Sequence, residues 1–161
     1  MESARCIADA VVAGAARAES VLAEHVSRHR ERHGRLNALV QPRHEAAAAE
    51  ARALDDAPRG PLAGVPVSVK ECFPVRGLVT SLGIESRRGA VDTVDAELVG
   101  RLRAAGAVIV GKANVPQAMY LHETDNPVWG RTNHPLAPER GPGGSSGGDA
   151  AVVAAGVVPL A

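Results

Sequence analysis

The chain has 161 residues, 45% of them hydrophobic and 22% charged, which is the composition of one globular domain with its own core. Its 18 basic and 18 acidic side chains cancel, so nothing in the charge balance points to nucleic acid or an anionic membrane as a partner. Two cysteines, Cys6 and Cys72, make no disulfide framework, no run approaches the roughly 20 apolar residues of a membrane span, and charges at Glu2, Arg5, Asp9 and Arg17 interrupt any secretory segment, so a reduced cytoplasmic protein is expected.

Residues 4 to about 33 read as helical, with Ile7, Val11, Val12, Val21, Leu22 and Val26 as inward positions and Gly14 and Gly34 as breaks. Leu36 to Val40 is a short apolar stretch. Pro42 precedes a second Ala-rich helix over His44 to Leu54, and Asp55 to Gly60 forms a linker with a turn signal at Arg59, Gly60 and Pro61. From Val65 to Lys70 valines alternate with Pro66, Ser68 and Lys70, the pattern of a strand with one apolar face. Thr93 is placed as the N-cap of a helix whose Leu98, Val99, Leu102 and Ala105 share a face, closed by Gly106 at C′. Ala107 to Val110 is a short buried strand. Strand, helix and strand in this order make the unit of an α/β sheet. An Ala/Val helix follows Gly148, and Val157 to Ala161 is an apolar run that wants a partner strand. Residues 1–60 are therefore a helical lead-in of the same domain, and residues 61–161 the first part of an α/β core, with the chain ending inside it.

Several local patterns carry less than they suggest. Gly106 to Ala113 approaches the phosphate-loop pattern GxxxxGK[ST], but Ala113 has no hydroxyl for magnesium and the middle residues belong in a strand. His25, His29 and His33 share a helix face at metal-binding spacing. Arg28, Arg30 and Arg32 crowd the same stretch and no carboxylate or cysteine completes a site, so a solvated face is expected and no metal. Cys72 stands two residues after Lys70, and with no histidine nearby in sequence it reads as a buried structural thiol.

Lys70 is different, because its flanks, GVPVSVKECF, are mostly apolar. A lysine in apolar surroundings resists carrying charge, and a neutral amine can act as a general base. The segment RGPGGSSGGD, Arg140 to Asp149, places Ser145 and Ser146 between glycine pairs immediately before a helix, where backbone N–H groups favour a developing negative charge.

Lys70 in GPLAGVPVSVKE and the serines in GPGGSSGGDAAVVAAG, with DAELVGRLRAAGAVIVGKANVPQ and TDNPVWGRTNHP between them, resemble the amidase signature family of Ser-cisSer-Lys hydrolases from about Leu36 to Ala161. The resemblance implies an α/β fold in which N-terminal helices lead into the first strands and helices of a mixed sheet. It also implies an acyl-enzyme mechanism on carboxylic amides with no cofactor. Carried over, Lys70 is the base, Ser145 is the relay serine on a cis peptide bond, and Ser146, with Gly143 and Gly144, supports the loop and the substrate. The NVPQAM segment is similar to the fatty-acid-amide-hydrolase branch, which would put Met119 in an acyl pocket. The family's nucleophile lies further along than Ala161, so the 161 residues alone are expected to be inactive. Glu71, Gln117 and Asp149 depart from the residues common at those places. The implied partners are a small amide substrate and either a second copy of the chain or the missing C-terminal part. The alternatives are an A-subunit-like component of a glutamyl-tRNA amidotransferase and a non-catalytic remnant.

Overall fold

The computed structural model describes residues 2–161. In chain order its elements are α1 (Ala4–Val12), α2 (Ala18–Leu36), β1 (Leu39–Pro42), α3 (His44–Asp56), β2 (Pro66–Lys70), α4 (Glu97–Ala104), β3 (Val108–Ala113) and α5 (Gly147–Ala154). The three strands form a mixed sheet in the order β1-β3-β2. β2 and β3 run parallel, as the β2-α4-β3 unit requires, and β1 runs antiparallel to β3. On the free side of β2, Val67 bridges Leu160 in parallel. The C-terminal run thus joins the sheet through one bridge and not as the strand its hydropathy suggested.

The lead-in breaks where glycine permits. Ser3 caps α1 through the Cys6 N–H, and Gly14, at φ +68°, turns the chain after it. Gly34 does not end the second helix: α2 continues to Leu36 and closes on Asn37 in the left-handed conformation. Ile7, Val11 and Leu22 are buried as expected, but Val12 is 58% exposed because it lies on the outer side of α1. Leu36 to Val40, read only as apolar, gives way to β1, whose pairing to β3 ties the lead-in to the sheet.

Four expectations change in the second half. Thr93 is not an N-cap. Ala96 is the last extended residue, with its N–H bonded to the Pro74 carbonyl, while Asp95 accepts from the Arg76 N–H at 2.8 Å and from Arg103 Nε at 2.9 Å. Those contacts hold the chain extended until Glu97. Of the predicted inward face of α4, Val99 is buried and Leu98 is 44% exposed. Gly106 does follow the C-cap Ala105 in the left-handed region, at φ +88°. β3 runs three residues past Val110 and takes Lys112 with it, fully buried. Finally, β2 is covered on both faces: Ser68 and Val67 are each about 1% exposed.

Two of the histidines of α2, His25 and His29, are buried and His33 is half-buried, contrary to the solvated face expected for them. His25 Nδ1 lies 2.8 Å from the Val157 carbonyl, to which it donates. The His29 ring packs against His33 and against His44 of α3, with centroids 4.9 and 5.0 Å apart. The reason is the packing of α2 on α3, which no helical wheel of α2 contains. Burial lowers the His29 pKa to about 4, helped by the charges His44 and His33 would carry. The folded state therefore binds a proton less readily than the unfolded chain. The associated stability is complete above about pH 6.5 and is lost as the pH falls towards 4, by roughly 3 kcal/mol at 1.36 kcal/mol per pKa unit. Urea denaturation at pH 7 and pH 4.5 should show this loss, and His29→Leu should flatten it; an identical pH slope in that variant would disprove the assignment.

Candidate active site

The carboxyl ends of two parallel strands build the site, the usual place for chemistry in a parallel sheet. Lys70 ends β2 and pairs in register with Ala113 at the end of β3, and the Glu71 N–H donates to the Ala113 carbonyl at 2.9 Å. The next residue, Asn114, receives the start of α5: the Gly148 N–H donates to its carbonyl at 3.2 Å. A Cβ on residue 148 would come within 2.4 Å of the Asn114 backbone nitrogen. Glycine at 148 is thus what lets the serine loop reach the strand ends.

The loop delivers both serines to the lysine. Lys70 Nζ lies 2.8 Å from Ser145 Oγ and 2.9 Å from Ser146 Oγ. The Gly144–Ser145 peptide bond is cis. Gly143 before it has φ +87°, and its carbonyl accepts from Thr124 Oγ1 at 2.6 Å. Lys70, Ser68, Phe73, Ser146, Asp149 and Leu160 line a cleft of about 310 Å³. Met119 does not line it; it ends the turn Gln117–Met119, at φ +58° and 36% exposed. Of the six residues singled out from sequence, the structure therefore joins Lys70, Ser145 and Ser146 directly, carries Gly143 and Gly144 on the same loop, and sets Met119 apart.

Cys72 is half-buried. Burial pushes its thiol up, and Lys70 pulls it back down. It is not the fully buried thiol expected, because it follows the strand in a turn.

A polar frame around the lysine escaped the sequence reading. Glu71 is fully buried: its Oε1 accepts from the Ser81 N–H and hydroxyl, each at 2.7 Å, and from Trp129 Nε1 at 3.3 Å, while Oε2 accepts from the Leu82 N–H at 2.9 Å. Lys112 Nζ donates to the Val79 carbonyl and Thr80 Oγ1, each at 2.6 Å. Burial lowers the Lys112 pKa, while Glu71 and Asp92 act to raise it. Asn114 Nδ2 donates to the Gly130 carbonyl at 2.9 Å and to Thr132 Oγ1 at 3.0 Å, and its Oδ1 accepts from Asn126 Nδ2 at 2.8 Å. The TDNPVWGRTNHP stretch is thus a brace under the serine loop. The available signal was the row of polar residues directly after an apolar strand, where buried amides must find partners.

Residues 20–161 match the family model described as Amidase. Amidase 1 of Gibberella moniliformis is 43% identical over 143 residues, covering 85% of this chain and 27% of that protein. The glutamyl-tRNA(Gln) amidotransferase of Nitratidesulfovibrio vulgaris has an A subunit that is 42% identical over 158 residues, covering 96% of this chain and 32% of that one. Among solved structures, a bacterial aryl acylamidase of the amidase signature enzymes superposes with a TM-score of 0.92 at 30% identity, over 98% of this chain and 34% of its own. The chain spans about a third or less of the length of these relatives. With a family match over most of its length and a mixed α/β fold shared with solved members, the chain belongs to the amidase signature family.

Proposed function

We propose that this chain carries the base-and-relay half of a site that hydrolyses carboxylic amides. The observation that carries the reading is the placement of Lys70 Nζ between two serine hydroxyls, 2.8 and 2.9 Å away. Lys70 is the general base and Ser145 the relay. A nucleophilic serine from outside these residues attacks the amide carbonyl carbon; its proton passes to Ser145 Oγ as the Ser145 proton passes to Lys70 Nζ. Collapse of the tetrahedral intermediate breaks the C–N bond, and the departing amine takes the proton back along the same route. Water then repeats the sequence on the acyl-enzyme and releases the acid. Ser146 holds the lysine from its second side, and Gly143 and Gly144 shape the loop at the substrate. The free thiols Cys6 and Cys72 suit a reducing, cytoplasmic setting. No helix among the described residues is long and apolar enough to cross a membrane.

The polypeptide that brings the nucleophile would also pack against the cleft beside Lys70, which Leu98 and Leu160 line. The match to the amidotransferase component favours a second reading, in which the amide is that of glutamine and the released ammonia passes to a partner. One set of assays separates these. The 161-residue chain alone should hydrolyse neither a simple aryl amide nor glutamine. Joined to the rest of the fold it should hydrolyse the aryl amide, whereas activity on glutamine alone would favour the second reading. Turnover by the isolated chain would show that the nucleophile lies within these residues and overturn the division of roles.

A further inference from the structure

Lys70 is a cation while it holds the nucleophile's proton, and a cation in a half-buried cleft needs a counter-charge. The adjacent carboxylate, Glu71, is engaged by Ser81, Leu82 and Trp129. The carboxylate that lines the cleft with Lys70 is Asp149, in the first turn of α5. Ser68 stands two residues before Lys70, on the same side of β2, and its hydroxyl donates a long hydrogen bond to Asp149 Oδ1 at 3.5 Å. Ser68 is itself about 1% exposed, so this partner is held in place by the sheet. The titratable side chains that act on or are acted on by Asp149 are Lys70 and Cys72; α4 presents Leu98 and Leu102 to the cleft, and the C-terminal segment presents Leu160 and Ala161.

We propose, building on the amidase reading above, that Asp149 is a positioning residue for Lys70: held across the cleft by Ser68, its carboxylate supplies the counter-charge for the Lys70 ammonium formed when the serine relay hands over its proton. The proton balance is closed without Asp149 changing state. The proton leaves the nucleophile, reaches Lys70 through Ser145, and returns to the departing amine, while Asp149 stays ionised. The role parallels that of the buried carboxylate that stabilises the protonated histidine of a Ser-His-Asp triad. Burial lifts the Asp149 carboxyl to about 6, against the opposing pull of Lys70 and Ser68. The counter-charge is therefore present at pH 7 and is withdrawn as the pH falls through 6.

The chain has only two lysines, Lys70 and Lys112, so lysine labelled with ¹³C and ¹⁵N gives two side-chain signals to follow through a pH titration. The Lys70 signal should show a step near pH 6 as Asp149 loses its proton. Asp149→Asn, close to isosteric, should abolish that step and move the main Lys70 transition to lower pH. Asp149→Glu should keep both features. Ser68→Ala should move the step to higher pH, because the hydroxyl favours the ionised carboxylate. The buried Lys112 reports in each variant that the fold is intact. A step that survives Asp149→Asn, or a Lys70 transition that does not move, would overturn the proposal. Because the titration needs no turnover, the Asp149 step together with no amide hydrolysis by the chain joined to the rest of the fold would refute the amidase reading and leave the linkage standing.

Discussion

Lys70→Ala, made in the chain joined to the rest of the amidase fold, is expected to lower amide hydrolysis at least 10²–10⁴-fold, the usual contribution of a positioned acid or base. The substituted site keeps both serines but has no group to take their proton. The loss should fall on kcat and kcat/KM together, since the lysine acts on the proton in flight and not on the bound amide. Lys70→Arg should not restore activity. A guanidinium keeps its charge at any working pH, and its planar fork does not reproduce a compact amine 2.8 and 2.9 Å from two hydroxyls. Steady-state kinetics on an aryl amide, with the fold checked by circular dichroism, decides the matter. Hydrolysis undiminished in Lys70→Ala would remove the base from the mechanism.

Glu71→Ala should be the most destabilising single change near the site, by about 3–5 kcal/mol, the loss typical of breaking a buried charged network by removing one member. The substitution leaves the Ser81 and Leu82 N–H groups and the Ser81 hydroxyl short of an acceptor, while Trp129 Nε1 keeps only Ser81 Oγ at 3.0 Å. It also takes away one of the two carboxylates that support a fully buried Lys112. Glu71→Gln keeps one acceptor oxygen and the side-chain volume, so its loss should be clearly smaller than that of alanine. Urea denaturation of the three proteins gives the order. Equal stability of Glu71→Ala and the parent chain would mean that the segment from Ser81 to Trp129 is held by other contacts.

What could be read without coordinates was what local rules decide. The alternation from Val65 to Lys70 marks a strand, glycine at 106 marks a helix end, and the β2-α4-β3 order demands a parallel pair, because each depends on a few neighbouring residues and on chain geometry. The glycine pairs around Ser145 and Ser146, together with a lysine in apolar flanks, marked the candidate site in the same way. The helix start assigned to Thr93 failed because Arg76 and Arg103, distant in sequence, hold Asp95 and so set where the helix begins.

Burial was the other quantity beyond reach. His29 looked solvated until α3 was laid against α2, and Lys112 lay past the strand expected over Ala107 to Val110 but is buried in β3 between β1 and β2. Local patterns set most of the elements and their order, though not β1, and the presence of a lysine and two serines fit for proton transfer. Tertiary structure alone decided that these three meet, that Ser68 and Asp149 line the same cleft, and that Glu71 is buried under Trp129. The physical reason is range: dihedral preference and periodicity act over a few residues, whereas desolvation and hydrogen-bond partnership depend on which surfaces the folded chain presses together.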